Sequence, residues 1–153
     1  MLTNKCTEFY ICYRQSSEKN TSRRNWHLVY TKPYTIGNKL AGLSKSLQVY
    51  TSGARWKWAA IVINNKQIDT IIINQLSDED KVVLEKKVGN ATLLIASMYF
   101  DINRPIHYDL QKMQTIIMHA NVLGIVFAVD SNARFTSWHD ALPNKRERKW
   151  KNY

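Results

Sequence analysis

The sequence predicts an α/β domain dominated by sheet. β-branched and aromatic runs recur between residues 26 and 100, separated by turn residues. One stretch, 106–121, repeats its apolar residues at helical steps instead, and an apolar run at 124–129 then returns the chain to strand. Strands with a single helical crossover give a sheet-based α/β fold. With 153 residues, 44% of them apolar, the chain suits one domain with a sizeable core.

The elements follow in order. Residues 9–13 (Phe-Tyr-Ile-Cys-Tyr) read as a short strand, and 16–24, rich in Ser, Asn and Arg, as loop. Residues 26–31 form a β-rich run stopped by Pro33, and 47–51 form another candidate strand. The Ile- and Val-rich runs 58–63 and 70–76 read as two buried strands of one sheet. After the polar break at 77–80, residues 82–88 and 91–100 pair as a hairpin across Gly89-Asn90, a turn-prone dipeptide. Ile106, Leu110, Met113, Ile116, Ile117 and Val122 recur at three- to four-residue steps, as on the apolar face of a helix, with the methionines filling core.

The net charge is +10 and unevenly spread. Residues 26–67 carry six basic and no acidic residues, 141–153 carry five basic and one acidic, and 68–90 are net negative. Basic excess interleaved with Trp56, Trp58 and Trp150 suits a polyanion-binding surface, since each neutralised phosphate releases counterions. The same charge also serves plain solubility.

Several function classes are excluded. Two cysteines, Cys6 and Cys12, make neither a disulfide framework nor an all-cysteine zinc site, so no disulfide-linked partner is expected. No apolar stretch is long enough to span a bilayer, and no secretory signal opens the chain, so an intracellular protein away from membranes is expected. Glycine-rich phosphate loops, nucleophile elbows and dinucleotide fingerprints are absent. His27, His107, His119 and His139 show no metal-ligand spacing, and His119 is expected exposed on its helix.

Two places carry candidate chemistry. Asp130-Ser-Asn132 ends a predicted strand, and residues two apart there face one side, so Asp130 and Asn132 can converge. A carboxylate beside a neutral amide suits a phosphate-hydrolysing site, although the same triplet is ordinary turn chemistry. Tyr99 ends the preceding strand on the side shared by Ser97 and Asp101, where its phenol can donate to a phosphate or pack.

These segments together resemble the endonuclease/exonuclease/phosphatase superfamily, and more narrowly the apurinic-type endonuclease domain of insect non-LTR retrotransposons. His27-Leu-Val-Tyr-Thr-Lys-Pro-Tyr34, followed by Ile36-Gly-Asn-Lys-Leu-Ala-Gly42, resembles the family's Gln-Glu-Pro-Tyr strand and the loop after it. Leu94-Ile-Ala-Ser-Met-Tyr-Phe100 is similar to its Ser-x-Tyr strand. Ala128-Val-Asp-Ser-Asn-Ala-Arg134, with Trp138-His139, is similar to its Asp-x-Asn-Ala motif and trailing Trp.

The resemblance implies a partial two-sheet α/β sandwich over residues 26–153, with residues 1–25 a poorly structured N-terminal segment. It implies in-line attack of water on a DNA phosphodiester, assisted by Mg²⁺. Asp130 would activate or orient the water, and Asn132 and Tyr99 would contact phosphate. Arg134, Trp138, Lys39 and Arg55 would contact DNA, which places the activity in the nucleus.

The departures are specific. Lys32 stands at the family's metal-binding Glu, and Thr31 at the preceding Gln. A protonated lysine cannot ligate a cation, so no metal ligand set is assigned. Residues 1–25 hold no clear counterpart of the family's catalytic Asn, and the sequence ends at Tyr153 before the late Asp and the Ser-Asp-His motif. The expectation is a truncated retroelement copy with impaired endonuclease activity. Its alternative is a non-catalytic nucleic-acid-binding remnant; hydrolysis of a small phosphoester ranks last.

Overall fold

The computed structural model describes residues 7–13, 25–31, 35–36, 39–40, 43–44, 46–53, 57–64, 69–88, 90–119 and 124–132. Strands β1 (Thr7–Tyr13), β2 (Asn25–Thr31), β5 (Gln48–Thr51) and β6 (Ala59–Ile63) form one sheet in the order β1-β2-β6-β5. Between them, β3 (Thr35–Ile36) and β4 (Lys39–Leu40) make a small antiparallel ribbon that the sequence did not suggest. Strands β7 (Thr70–Ile72), β8 (Lys81–Val88), β9 (Ala91–Tyr99) and β10 (Gly124–Asp130) form a second sheet in the order β10-β9-β8-β7. Helix α1 (Ile106–His119) connects β9 to β10.

Side-chain alternation divides the core into layers. Ala59, Ile61 and Ile63 of β6 pack with Val82 and Leu84 of β8, Ile95 of β9 and Ala128 of β10, and this is the seam between the sheets. The intervening β6 residues, Ala60 and Val62, face Leu43 and Leu47 on the outer side. All five β6 residues are therefore buried, as in a strand covered on both faces. On the far side of the second sheet, Val83, Leu94, Ala96, Met98 and Phe100 meet Ile106, Met113 and Ile116 of α1. The order of layers is sheet, sheet, helix, the two-sheet α/β sandwich expected.

The predicted hairpin is present, with Val88 opposite Ala91 and Lys81 opposite Met98. Of the expected stripe, α1 buries Ile106, Met113 and Ile116 and half-buries Leu110, while Ile117 is exposed and Val122 lies outside the described residues. Met118 is exposed too, so only part of the methionine content fills core. His119 is exposed, as expected. β9 and β10 run parallel, a pairing that requires a crossover of about a dozen residues, which α1 supplies.

Two expectations need correction. The runs 58–63 and 70–76 do not share a sheet: β6 pairs with β2 and β5, whereas β7 pairs with β8. Ile-rich composition marks burial but carries no information about which strand lies alongside. β7 is an edge, with Ile71 66% exposed, and it ends at Ile72; Asn74–Leu76 is a 3-10 turn that tucks Leu76 under α1. The second correction concerns the first 25 residues. The short strand expected at 9–13 is present as Thr7–Tyr13 and pairs antiparallel with β2 along its whole length, so this part of the segment expected to be poorly structured belongs to the first sheet. The turn-rich 16–24 lies outside the described residues. Among the described residues, no helix is long and apolar enough to cross a membrane.

Candidate active site at the ends of two parallel strands

The carboxyl ends of adjacent parallel strands are where α/β folds collect functional side chains, because the loops that follow can converge there. β9 ends at Tyr99 and β10 at Asp130, and these two residues are register partners. Ala128 belongs to the seam between the sheets, so Asp130, two residues on, projects to that same side. Tyr99 projects there too, since its ring stacks on Trp58 of the opposite sheet, with centroids 5.3 Å apart and an interplanar angle of 21°. Sequence alternation thus places Tyr99 and Asp130 together on one face of neighbouring strands, about 4.8 Å apart along the hydrogen-bonding direction.

Asn132 completes the cluster in an unexpected way. Its backbone N–H donates to Asp130 Oδ1 at 3.1 Å, and its side-chain Nδ2 donates to the Phe100 carbonyl at 2.6 Å. The backbone is left-handed there, with φ of 48°, a conformation asparagine tolerates better than most residues. Phe100 in turn donates its N–H to the Asp130 carbonyl at 2.9 Å, continuing the ladder beyond the strands. The triplet therefore does perform the turn chemistry that its composition allows, and this turn fixes where the Asp130 carboxylate sits. Asp101, which shares Tyr99's side by alternation, accepts from the Asn103 N–H at 3.0 Å and shapes the loop into α1.

A turn ahead of β8 positions both aromatic rings. The Glu79 carbonyl accepts from the Trp58 N–H, and the Asp80 carbonyl from the Tyr99 N–H, each at 2.8 Å. Consecutive carbonyls of one turn thus hold the two stacked residues. The turn is tied down by charge. Asp80 Oδ2 accepts from Arg104 at 2.9 Å and from Lys112 at 3.4 Å, and Lys112 also reaches Asp78 at 3.0 Å. Arg104 bonds Asp109 as well, whose side chain is 1% exposed. Burial works against the Arg104 charge, but its bonds to Asp109 and Asp80 outweigh that and hold its pKa above the ordinary value. Lys81 is held below its ordinary value by burial, partly offset by Asp78.

The sequence offers Trp58 only as one of the aromatics interleaved with basic charge, and it does not single out Asp80 or Arg104 as site residues. Residues 77–80 read as a polar break, and the cations that neutralise Asp80 lie 24 and 32 positions away. The usable signal was an acidic pair, Asp78 and Asp80, directly before a buried strand.

Of the other candidates, Lys39 lies on β4, where only the backbone is described, and Arg55, Arg134 and Trp138 lie outside the described residues. Lys32 and His139 also lie outside them. Among the described residues, no three His, Cys, Asp or Glu side chains converge on a point. Mg²⁺ prefers oxygen ligands, and of the carboxylates at these strand ends Asp130 is engaged by the Asn132 N–H and Asp101 by the Asn103 N–H. The described residues therefore do not by themselves form a magnesium seat.

No family model matches the chain, and no curated protein sequence matches it significantly. Among solved structures, the fold is similar to the endonuclease domain of TRAS1, a telomere-specific non-LTR retrotransposon, with a TM-score of 0.63 at 22% identity. The match covers 71% of this chain and 51% of that one, so the chain spans about half the length of its structural neighbour. The fold that the sequence motifs resembled is the fold the chain adopts.

Proposed function

We propose that this chain is a retrotransposon-type endonuclease domain that binds DNA and hydrolyses its phosphodiester bonds at the ends of β9 and β10. The observation that carries the reading is the register pairing of Tyr99 with Asp130 on one face of two parallel strands. It is supported by the fold shared with a retrotransposon endonuclease domain and by the net charge of +10.

In this reading Asp130 accepts a proton from the attacking water as the water oxygen bonds to phosphorus and the ester oxygen leaves. The Tyr99 hydroxyl donates to a phosphate oxygen. Asn132, whose amide is held at the strand ends by the Phe100 carbonyl, contacts the phosphate. Lys39, Arg55, Arg134 and Trp138 follow the DNA backbone, within a domain that comprises 26–153 together with β1 at Thr7–Tyr13, and the DNA substrate implies a nuclear protein. Magnesium is the ion the sequence resemblance implies, and the described residues supply too few acidic ligands to assign it a position.

The test is nicking of supercoiled plasmid by the purified protein, with Mg²⁺ or EDTA, beside Asp130→Ala. The expected result is nicking that Asp130→Ala reduces by about a hundredfold or more. Equal nicking in EDTA would remove magnesium from the reading and leave the hydrolase. Nicking unaffected by Asp130→Ala would overturn the site.

A second reading, a nucleic-acid-binding remnant without catalysis, is favoured by the lack of a convergent acidic cluster among the described residues and by Lys32 at the family's Glu position. Salt-sensitive DNA binding by a folded preparation that never nicks would establish it.

A further inference from the structure

The Trp58–Tyr99 stack is more elaborately held than core packing requires. Both rings sit at one end of the seam between the sheets, yet they differ in exposure: Tyr99 is 6% exposed and Trp58 is 37% exposed. Tyr99 stacks on the indole, and Trp58 keeps about a third of its surface in solvent beside the strand ends where Asp130 lies. Neither ring has freedom to drift, because successive carbonyls of the 79–80 turn hold their backbones and an ion-pair network holds that turn. Lys57 adjoins Trp58, in a stretch with no acidic residue from 26 to 67.

We propose that Trp58 is a stacking platform for an unstacked nucleobase of a DNA strand whose phosphate lies at Tyr99 and Asp130. The inference rests on the DNA-binding reading above and assigns its base contact. A base has a π-face whatever its identity, so an indole fixed beside a phosphate site grips it without reading sequence. Stacking by Tyr99 beneath extends the platform and keeps the indole plane fixed, which lowers the ordering cost of binding. A cation at position 57 adds attraction for the strand but none for the base.

The experiment compares two fluorescein-labelled single strands of equal length, one of thymidines and one of abasic spacers, bound to the full chain by fluorescence anisotropy. Both carry the same phosphates; only the first carries bases. The wild-type protein is expected to bind the thymidine strand about tenfold more tightly. Trp58→Ala is expected to abolish that preference, Trp58→Phe to keep part of it, and Trp58→Lys to tighten both strands alike. The dependence of binding on salt is expected to stay the same in Trp58→Ala, because no phosphate contact is lost. Far-UV circular dichroism and a thermal melt check that each variant folds. Equal binding of both strands by the wild type, or an undiminished preference in a folded Trp58→Ala, would overturn the platform while leaving DNA binding intact. Binding of neither strand would overturn the DNA-binding reading and the platform together.

Discussion

The side-chain amide of Asn132 donates a 2.6 Å hydrogen bond to the carbonyl of Phe100, joining the loop after β10 to the end of β9. The bond lies just beyond the two residues that the register pairs, Tyr99 and Asp130, and ties together the chain segments that leave the candidate site. A residue nominated from sequence for phosphate contact thus has a structural duty.

That duty, with the left-handed backbone at this position, predicts a graded response at Asn132. Asn132→Gly keeps the left-handed backbone and loses the hydrogen bond, for a cost of about 1 kcal/mol. Asn132→Ala loses both and is expected to cost about 2 kcal/mol. Asn132→Asp replaces a donor with an acceptor facing the Phe100 carbonyl and is expected to be at least as damaging. Urea denaturation at neutral pH ranks the three.

Tyr99→Phe separates the hydroxyl from the ring. The stack on Trp58 survives, so the thermal midpoint is expected to change by no more than a few degrees, as for a small loss of stability. Plasmid nicking is expected to fall about a hundredfold if the hydroxyl donates to phosphate. Unchanged nicking would make Tyr99 a packing residue.

Arg104 is the cation shared by Asp80 and the almost fully buried Asp109. Removing it strands a buried carboxylate, which costs about 3–5 kcal/mol. Arg104→Met is therefore expected to be severely destabilising, with Arg104→Lys intermediate because an ammonium cannot reproduce the guanidinium fork. The double variant Arg104→Met/Asp109→Leu is expected to recover much of the loss, since it removes the stranded charge along with its partner. Chemical denaturation of the three variants tests this, and lack of recovery would mean that Asp80 carries the dependence.

Lys86 gives a pH dependence of defined sign. Its side chain is buried on β8, and burial lowers its pKa from 10.5 to about 8. Between about pH 8 and pH 10.5 the unfolded chain binds the proton that the folded chain has released, so stability rises with pH across that window. Below it both states are charged, and this group contributes no slope. Lys86→Met is expected to flatten the rise. Lys81, also lowered by burial, acts in the same direction, so some slope is expected to persist. Urea midpoints measured from pH 7 to 10.5 decide the matter.

The β8–β9 hairpin, the helix and the strand after it were legible because each is a local pattern: a turn dipeptide between apolar runs, or apolar residues at a fixed step. Asp130 and Tyr99 were legible for the same reason, lying at strand ends within short motifs that resemble a known family. The membership of β7 was not legible, since an isoleucine run such as 70–72 reports burial and not its neighbour. Nor was the pairing of Thr7–Tyr13 with β2, which spans a polar connection without periodicity of its own.

By itself the sequence determined most of the strands, the helix and the turn between β8 and β9, the sign of the charge, and the placement of Tyr99 and Asp130 at strand ends. Tertiary structure alone decided that Trp58 lies on Tyr99, that Asn132 is tied to Phe100, and that Arg104 is gathered with Asp80 and Asp109. The physical reason is range. Side-chain periodicity and turn preference act over a few residues and leave their mark in the local sequence. Stacking across a sandwich and neutralisation of a buried carboxylate act between residues dozens of positions apart, and exist only once the sheets have closed.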